Sequence, residues 1–138
     1  MTDVQLIYAS TASGDLSIDE VKDVVKLAAQ KNMGIGISGF LCANSRYFLQ
    51  CLEGDKESID SLYQTISRDM RHHNLNAIGC EPIASRTFES WGMGVVLGLD
   101  RHKEILKKYN ADSVFNPYSL TFKQCLAMLS EFAGLKKI

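Results

Sequence analysis

A glutamine lies inside the apolar run YFLQCL, residues 47–52, whose composition predicts a β-strand. Because side chains alternate across a strand, Phe48, Gln50 and Leu52 share one face. Both faces of the run are apolar, so the strand is expected at the centre of a sheet and Gln50 is expected to be buried. An unpaired buried amide costs about 1–3 kcal/mol, so Gln50 needs either an internal hydrogen-bond partner or a ligand.

Two other polar side chains are predicted to point towards the same core. Tyr8 shares the apolar face of a strand over residues 4–10. Asn32 continues the core-facing stripe of a helix that begins at the capping box Ser17-Ile18-Asp19-Glu20 and is stopped by Gly34 and Gly36. Taken singly, Tyr8 is explained as a core aromatic and Asn32 as a helix-end cap. Two amides and a phenol on one buried surface would instead match the polar edge of a planar heterocycle, such as a flavin.

Three basic residues flank these positions. Lys31 precedes Asn32, and Arg71 and His72 follow a second predicted helix that is capped by Asp55. A solvated helix end is the simplest explanation of Arg71 and His72. The apolar stripe of this second helix consists of Ile59, Leu62, Tyr63, Ile66 and Met70.

The order of predicted elements indicates an α+β fold. Strands over 4–10, 37–43, 47–52, 76–83 and 91–97 and two helices give the order β-α-β-β-α-β-β, a ferredoxin-like unit with a fifth strand. The third strand is expected to close at Glu53-Gly54-Asp55, which has the composition of a turn. Both helices of such a unit lie on one face of the sheet, where a flat ligand fits between them. Two more helices, over 101–109 and 122–133, are expected to cover the other face.

Length and composition restrict the remaining possibilities. The 138 residues fit one domain, predicted over 1–98, with a helical extension over 99–138. The formal net charge is −1 and no block of Lys or Arg occurs, so neither a nucleic acid nor a membrane surface is an expected partner. No signal peptide or membrane-length apolar run is visible, which predicts a cytoplasmic protein. The four cysteines lie far apart, as expected of reduced thiols.

Several of these residues occur together in one recognisable pattern. It consists of Tyr8, Lys31-Asn32, GISGFLCANSRYFLQCLEG over 36–54, RDMRHH over 68–73, and Trp91-Gly92-Met93. The pattern resembles the BLUF family of blue-light sensors that use FAD, over roughly residues 2–97. The two helices that follow look like those of the short, stand-alone BLUF proteins of the PixD type.

The resemblance implies a photochemical role for the buried polar residues. Tyr8 would be the electron and proton donor to an excited flavin, and Gln50 would lie between Tyr8 and flavin N5/O4. Asn32 resembles the amide ligand of the ring's polar edge, and Ile66 would pack on the ring. An amide has donor and acceptor ends of similar shape, so rotation or tautomerisation of Gln50 would alter the hydrogen-bond network at little steric cost.

The resemblance also assigns the basic residues and the fifth strand. Lys31, Arg71 and His72 occupy positions near the ribityl chain and phosphates of the cofactor, which is FAD, with FMN as the alternative. Trp91 and Met93 resemble the pair that carries the signal away from Gln50. Gly92 and Gly94 depart from the family, which commonly has Ser and a basic residue there, so the strand is expected to be more pliant.

A sensor this short, with no output domain attached, is expected to signal through another protein or through its own assembly. The resemblance implies ring-like homo-oligomers and a partner of the response-regulator type. Two other classes compete with the photosensor. One is a flavin-binding oxidoreductase, for which no reductant-binding motif is present. The other is a cofactor-free ferredoxin-like interaction module, in which Gln50 and Asn32 pair inside the core.

Overall fold

The computed structural model describes residues 3–14, 17–89, 92–109 and 115–136. Within this part of the chain, five strands and four α-helices form one α+β unit. The strands are Asp3–Ala12 (β1), Ser38–Ala43 (β2), Tyr47–Asp55 (β3), His72–Ile83 (β4) and Gly94–Leu97 (β5). The helices are Ile18–Gly34 (α1), Lys56–Ser67 (α2), Lys103–Tyr109 (α3) and Phe122–Lys136 (α4), with short 3-10 turns at Leu99–Arg101 and Pro117–Ser119.

The strands form a single mixed sheet in the order β4-β1-β3-β2-β5. Neighbouring strands are antiparallel except β2 and β5, which pair in parallel. This arrangement confirms the predicted ferredoxin-like order with an added fifth strand. It places β3 in the middle and β4 and β5 at opposite edges, so Gln50 lies on the central strand as expected.

Local sequence signals fix the starts of α1 and α2. The amide of Glu20 donates to Ser17 Oγ at 3.1 Å and the Glu20 carboxylate accepts from the Ser17 amide, which completes the predicted capping box. The Asp55 carboxylate accepts from the Ser58 amide at 3.0 Å and caps α2. Gly36 follows α1 with φ of +72°, a left-handed conformation that favours glycine.

The sheet separates two apolar cores. The first lies between the sheet and helices α1 and α2, and its buried members include Val4, Leu6, Tyr8, Val25, Leu41, Leu52, Ile59 and Met93. The second lies on the opposite face under α4, and its buried members include Ile7, Phe40, Leu49, Cys51, Leu106, Cys125, Leu129 and Phe132. The predicted alternation of β3 is confirmed, since Leu52 and Leu49 lie in different cores.

Two predicted boundaries are wrong, for identifiable reasons. Glu53-Gly54-Asp55 is not a turn: β3 continues to Asp55 because Glu53 pairs with Gln5 on β1 and Ser38 on β2. Helix α2 ends at Ser67, where the chain turns into β4, so Met70 lies beyond the helix and is 89% exposed instead of in the core.

The other boundaries differ by a few residues. Strand β4 starts at His72, four residues before the predicted start, because its first residues pair with the extended β1. Strand β5 starts at Gly94 rather than residue 91, and Trp91 itself lies outside the described residues. The free thiols of Cys42, Cys51 and Cys125 are buried, whereas that of Cys80 is exposed. Among the residues described, no helix has the length and apolarity needed to cross a lipid bilayer.

Phe132→Ala tests the packing of α4 on the sheet. Phe132 is fully buried in the second core, so truncation is expected to lower the free energy of unfolding by about 3–5 kcal/mol. Leu135→Ala is the control, since Leu135 on the same helix is 44% exposed and should cost about 0.5 kcal/mol or less. Urea denaturation measures both; equal losses would contradict the docking of α4.

Candidate functional site

A cleft of about 140 Å³ opens between α1 and α2 on the first face of the sheet. Its walls are predominantly apolar, and its polar groups lie on α1, on the strands and on the loop after α2. It is lined by Tyr8, Glu20, Val21, Val24, Val25, Ala28, Leu41, Phe48, Gln50, Ile66, Asp69, Arg71, His72 and Met93. Six of the predicted site residues therefore meet in one cleft.

The floor of the cleft contains a buried hydrogen bond between Tyr8 and Gln50. The two residues are directly opposite on the neighbouring strands β1 and β3, and the Tyr8 hydroxyl donates to Gln50 Oε1. Their exposed fractions are 4% and 7%. Burial raises the pKa of the Tyr8 phenol well above its ordinary range, with smaller contributions from Tyr63 and Asp69. Tyr8 is therefore neutral at physiological pH.

The other end of the Gln50 amide faces the segment that leads into β5. Gln50 Nε2 donates to Met93 Sδ at 3.1 Å. Thioether sulfur is a weak acceptor, so this contact holds the amide less firmly than a carbonyl would. The amide thus lies between a strong donor, Tyr8, and a weak acceptor, Met93.

His72, on β4, connects β1 to the end of α2. Its Nδ1 lies 2.8 Å from Ser10 Oγ, and its Nε2 lies 2.8 Å from the backbone carbonyl oxygen of Ile66. The imidazole ring also packs edge-on against Phe48 and Tyr8, with ring centroids 6.3 and 6.5 Å apart. These contacts fix His72 as a wall of the cleft, whereas the sequence suggested a solvated helix end.

Arg71 and Asp69 form an ion pair at the rim of the cleft. Arg71 Nε donates to the Asp69 carboxylate at 2.9 Å, and a terminal guanidinium nitrogen contacts the same group. Hydrogen bonds from Arg71 lower the pKa of Asp69 to about 2. The Arg71 side chain remains 53% exposed, so the guanidinium still faces solvent at the mouth.

Lys31 and Asn32 lie at the end of α1, outside the set of residues that line the cleft. Asn32 is buried as predicted, 2% exposed, and its amide nitrogen donates to the backbone oxygen of Gly92 at 3.0 Å. Lys31 is exposed. Asn32 thus ties α1 to the segment before β5, a contact that the sequence did not indicate.

Sequence reasoning missed two acidic residues of the cleft and one that is buried on the central strand. Glu20 and Asp69 line the cleft. The position of Asp69 could be inferred from the spacing Asp69-Met70-Arg71 only if α2 were known to end before it. Glu53 is completely buried and accepts hydrogen bonds from Gln5 and two backbone amides. The sequence analysis assigned it to a turn because it belongs to a Glu-Gly-Asp triplet.

The family model described as "Sensors of blue-light using FAD", BLUF, matches residues 4–94. The chain belongs to the BLUF family. The match begins at β1, ends at the start of β5, and therefore contains every residue that lines the cleft.

Longer known proteins contain a segment that is similar to this BLUF unit. The blue light- and temperature-regulated antirepressor BluF of Escherichia coli is 33% identical over 88 residues, which is 64% of this chain and 22% of that protein. Photoactivated adenylate cyclase subunit beta of Euglena gracilis is 35% identical over 94% of this chain and 15% of its own length. This chain therefore spans a quarter or less of either relative.

A solved structure extends the similarity to the helices after β5. The photo-activated state of BlsA superposes with a TM-score of 0.84 and 27% identity, covering 94% of this chain and 93% of BlsA. This agreement confirms the BLUF fold over nearly the whole chain.

The cleft is chemically suited to the flavin that BLUF domains bind. Apolar side chains from α1 and the strands provide a flat surface for an aromatic ring, as small-molecule sites usually do. The Gln50 amide supplies both a donor and an acceptor for the polar edge of such a ring. Arg71 at the rim supplies a cationic donor for a phosphate.

Arg71→Gln tests the ion pair at the rim. Loss of the guanidinium should raise the pKa of Asp69 from about 2 towards its ordinary value of 3.8, although the Arg71 amide still donates to it. In the wild type, the contribution of Asp69 to stability is complete above the ordinary pKa and is lost as pH falls through about 2. In the variant, the contribution of Asp69 to stability should be lost at higher pH, because the pKa of Asp69 in the folded protein is then closer to 3.8.

NMR titration of the Asp69 carboxyl carbon measures this shift directly. Arg68→Gln removes the same charge from the residue before Asp69 and should leave the Asp69 titration near its wild-type position. An unchanged pKa in Arg71→Gln would show that the ion pair is absent in solution.

Proposed function

We propose that this BLUF protein senses blue light through the pair Tyr8 and Gln50. The hydrogen bond from the Tyr8 hydroxyl to Gln50 Oε1, at the floor of the cleft, is the observation that carries the proposal. It supplies a proton donor and an adjustable amide at the place where a flat ring would lie.

FAD is the proposed cofactor, in keeping with the family description, and FMN is the alternative. When bound, the flavin absorbs blue light and in its excited state accepts an electron. Arg71, His72 and Lys31 are proposed to lie near the ribityl chain and phosphate groups, which suits their basic side chains. Asn32 is the proposed amide ligand of the ring edge, and Ile66, which lines the cleft, is proposed to pack on the ring.

Tyr8 is the proposed electron and proton donor. Its neutral phenol gives up an electron readily only if the proton leaves with it, because a phenol becomes strongly acidic on oxidation. That proton already points at Gln50 Oε1, so it has an acceptor within hydrogen-bond reach. Burial limits the access of water as a competing acceptor, since Tyr8 is 4% exposed.

Gln50 is the proposed switch. Rotation or tautomerisation would exchange the groups that its side chain presents to Tyr8 and to Met93. A rotated amide would present its nitrogen to the Tyr8 hydroxyl and its oxygen to the Met93 sulfur, and the latter contact is repulsive because both atoms are acceptors. Met93, and with it the segment leading into β5, would then move. Trp91 is the proposed second member of this signal relay.

The output is proposed to pass through another protein. Residues 1–98 would form the sensor and 99–138 a helical extension through which β5 acts. The named relatives couple light to an antirepressor and to an adenylate cyclase, so several outputs follow one sensor. A ring-like homo-oligomer and a partner of the response-regulator type are the proposed assemblies for this chain.

The visible spectrum of the purified protein, before and after blue light, is the first test. A flavin spectrum that shifts slightly to the red and recovers in darkness is expected. A flavin that is reduced by NADPH, without a red shift, would indicate an oxidoreductase instead. A colourless protein that takes up neither FAD nor FMN would leave an interaction module.

Gln50→Leu and Tyr8→Phe test the assigned pair. Each is expected to retain flavin, because the apolar walls remain, and to lose the red shift. Gln64→Leu is the matched control for Gln50, because Gln64 is exposed on α2. Tyr63→Phe is the control for Tyr8, since its ring packs edge-on against Tyr8 with centroids 5.3 Å apart. Normal photocycles in both Gln50→Leu and Tyr8→Phe would refute the mechanism.

A further inference from the structure

Glu53 is completely buried near the end of β3, on the sheet face opposite Gln50. Both of its carboxylate oxygens accept hydrogen bonds. Oε2 accepts from Gln5 Nε2 at 2.8 Å and from the Thr87 amide at 2.9 Å, and Oε1 accepts from the Phe88 amide at 2.7 Å. Charge-assisted bonds from backbone amides are among the stronger hydrogen bonds in proteins, so Glu53 holds residues 87 and 88 firmly.

Strands β4 and β5 lie at opposite edges of the sheet, and the described residues between them, 84–89 and 92–93, are called the crossover here. Residues 84–89 follow β4 at one edge, and residues 92–93 precede β5 at the other. Glu53, on the central strand β3, holds the crossover at residues 87 and 88. Two further contacts hold the same part: Arg86 Nε donates to Asp3 at 2.8 Å, and the Phe88 ring stacks on Phe40 with centroids 5.6 Å apart.

The far end of the crossover lies against the cleft. Gly92 offers its carbonyl oxygen to Asn32, and Met93 accepts from Gln50. A Cβ atom at Gly92 would lie 2.5 Å from the backbone oxygen of Ala29, so glycine is required for this close approach to α1. Only three residues separate Phe88 from Gly92, so the position of Phe88 restricts that of Met93.

We propose that Glu53 is a positioning residue of the sensor. It anchors the middle of the crossover so that Met93 Sδ rests against the Gln50 amide in darkness. The importance of this position for signalling rests on the proposed function, but the anchoring itself does not. Without this anchor, a rearrangement of Gln50 would displace the crossover itself, and the displacement would not reach β5.

Glu53→Gln tests the anchor with little change in shape. A glutamine keeps one acceptor oxygen but turns an NH₂ group towards donors, so at least one buried N–H loses its partner. Exchange of the Thr87 or the Phe88 amide, whichever loses its acceptor, should then become at least about tenfold faster. The Met93 methyl signal in ¹³C-methyl NMR of the flavin-loaded protein in darkness should move, because Met93 is no longer held against Gln50.

Glu81→Gln is the matched control. Glu81 is an exposed residue on β4 that pairs with the same Gln5, so the identical substitution there should change neither readout. Gln5→Met is a milder second variant, which removes one donor and keeps both backbone amides. It should move the Met93 signal in the same direction by a smaller amount, and it decides the question if Glu53→Gln does not fold.

An unchanged Met93 signal in a folded, flavin-loaded Glu53→Gln protein would overturn the proposal, even if the protein were less stable. In light, the same variant should retain the red shift, because Tyr8 and Gln50 are intact. It should lose the change in hydrogen exchange over 94–97 that the proposed signal relay predicts for the wild type. A wild-type protein without a red shift would contradict the proposed function alone, since the dark measurements on Met93 do not depend on light.

Discussion

The hydrogen bond between Tyr8 and Gln50 is the interaction around which the cleft is organised. It exists because β1 and β3 pair in a register that places the two residues opposite each other. A slip of one residue between β1 and β3 would turn one of the two side chains to the α4 face and so separate the pair. The cap residues of α1 and α2 then matter for function as well as for folding, because they fix where the two helices begin and hence the width of the cleft above this bond.

Most of the fold could be predicted from local patterns. Alternation identified the faces of β3, the capping box located α1, and the order of elements specified the sheet. The residues of the cleft were predicted less completely. Tyr8 and Gln50 were visible because a polar group in an apolar run needs an explanation, whereas Arg71 and His72 resembled an ordinary helix end until the early start of β4 placed them beside β1.

The long-range polar contacts could not be predicted from the sequence. Asn32 and Gly92 are 60 residues apart, and Glu53 and Phe88 are 35 apart. Neither pair follows from a period or a motif, because a hydrogen bond between a side chain and a distant backbone group leaves no spacing to recognise. Glu53 carried a misleading signal as well, since Glu-Gly-Asp is turn-like in composition but here continues a central strand.

The bond from Asn32 to Gly92 joins a wall of the cleft to the entry of β5. A displacement of Gly92 would therefore act on α1, which forms one wall of the cleft. Thermodynamic linkage then requires reciprocity: any molecule that binds the crossover and shifts it changes the affinity of the cleft for its ligand by the same factor that the ligand changes the affinity of the crossover. Under the proposed function, this linkage would operate in darkness as well as in light.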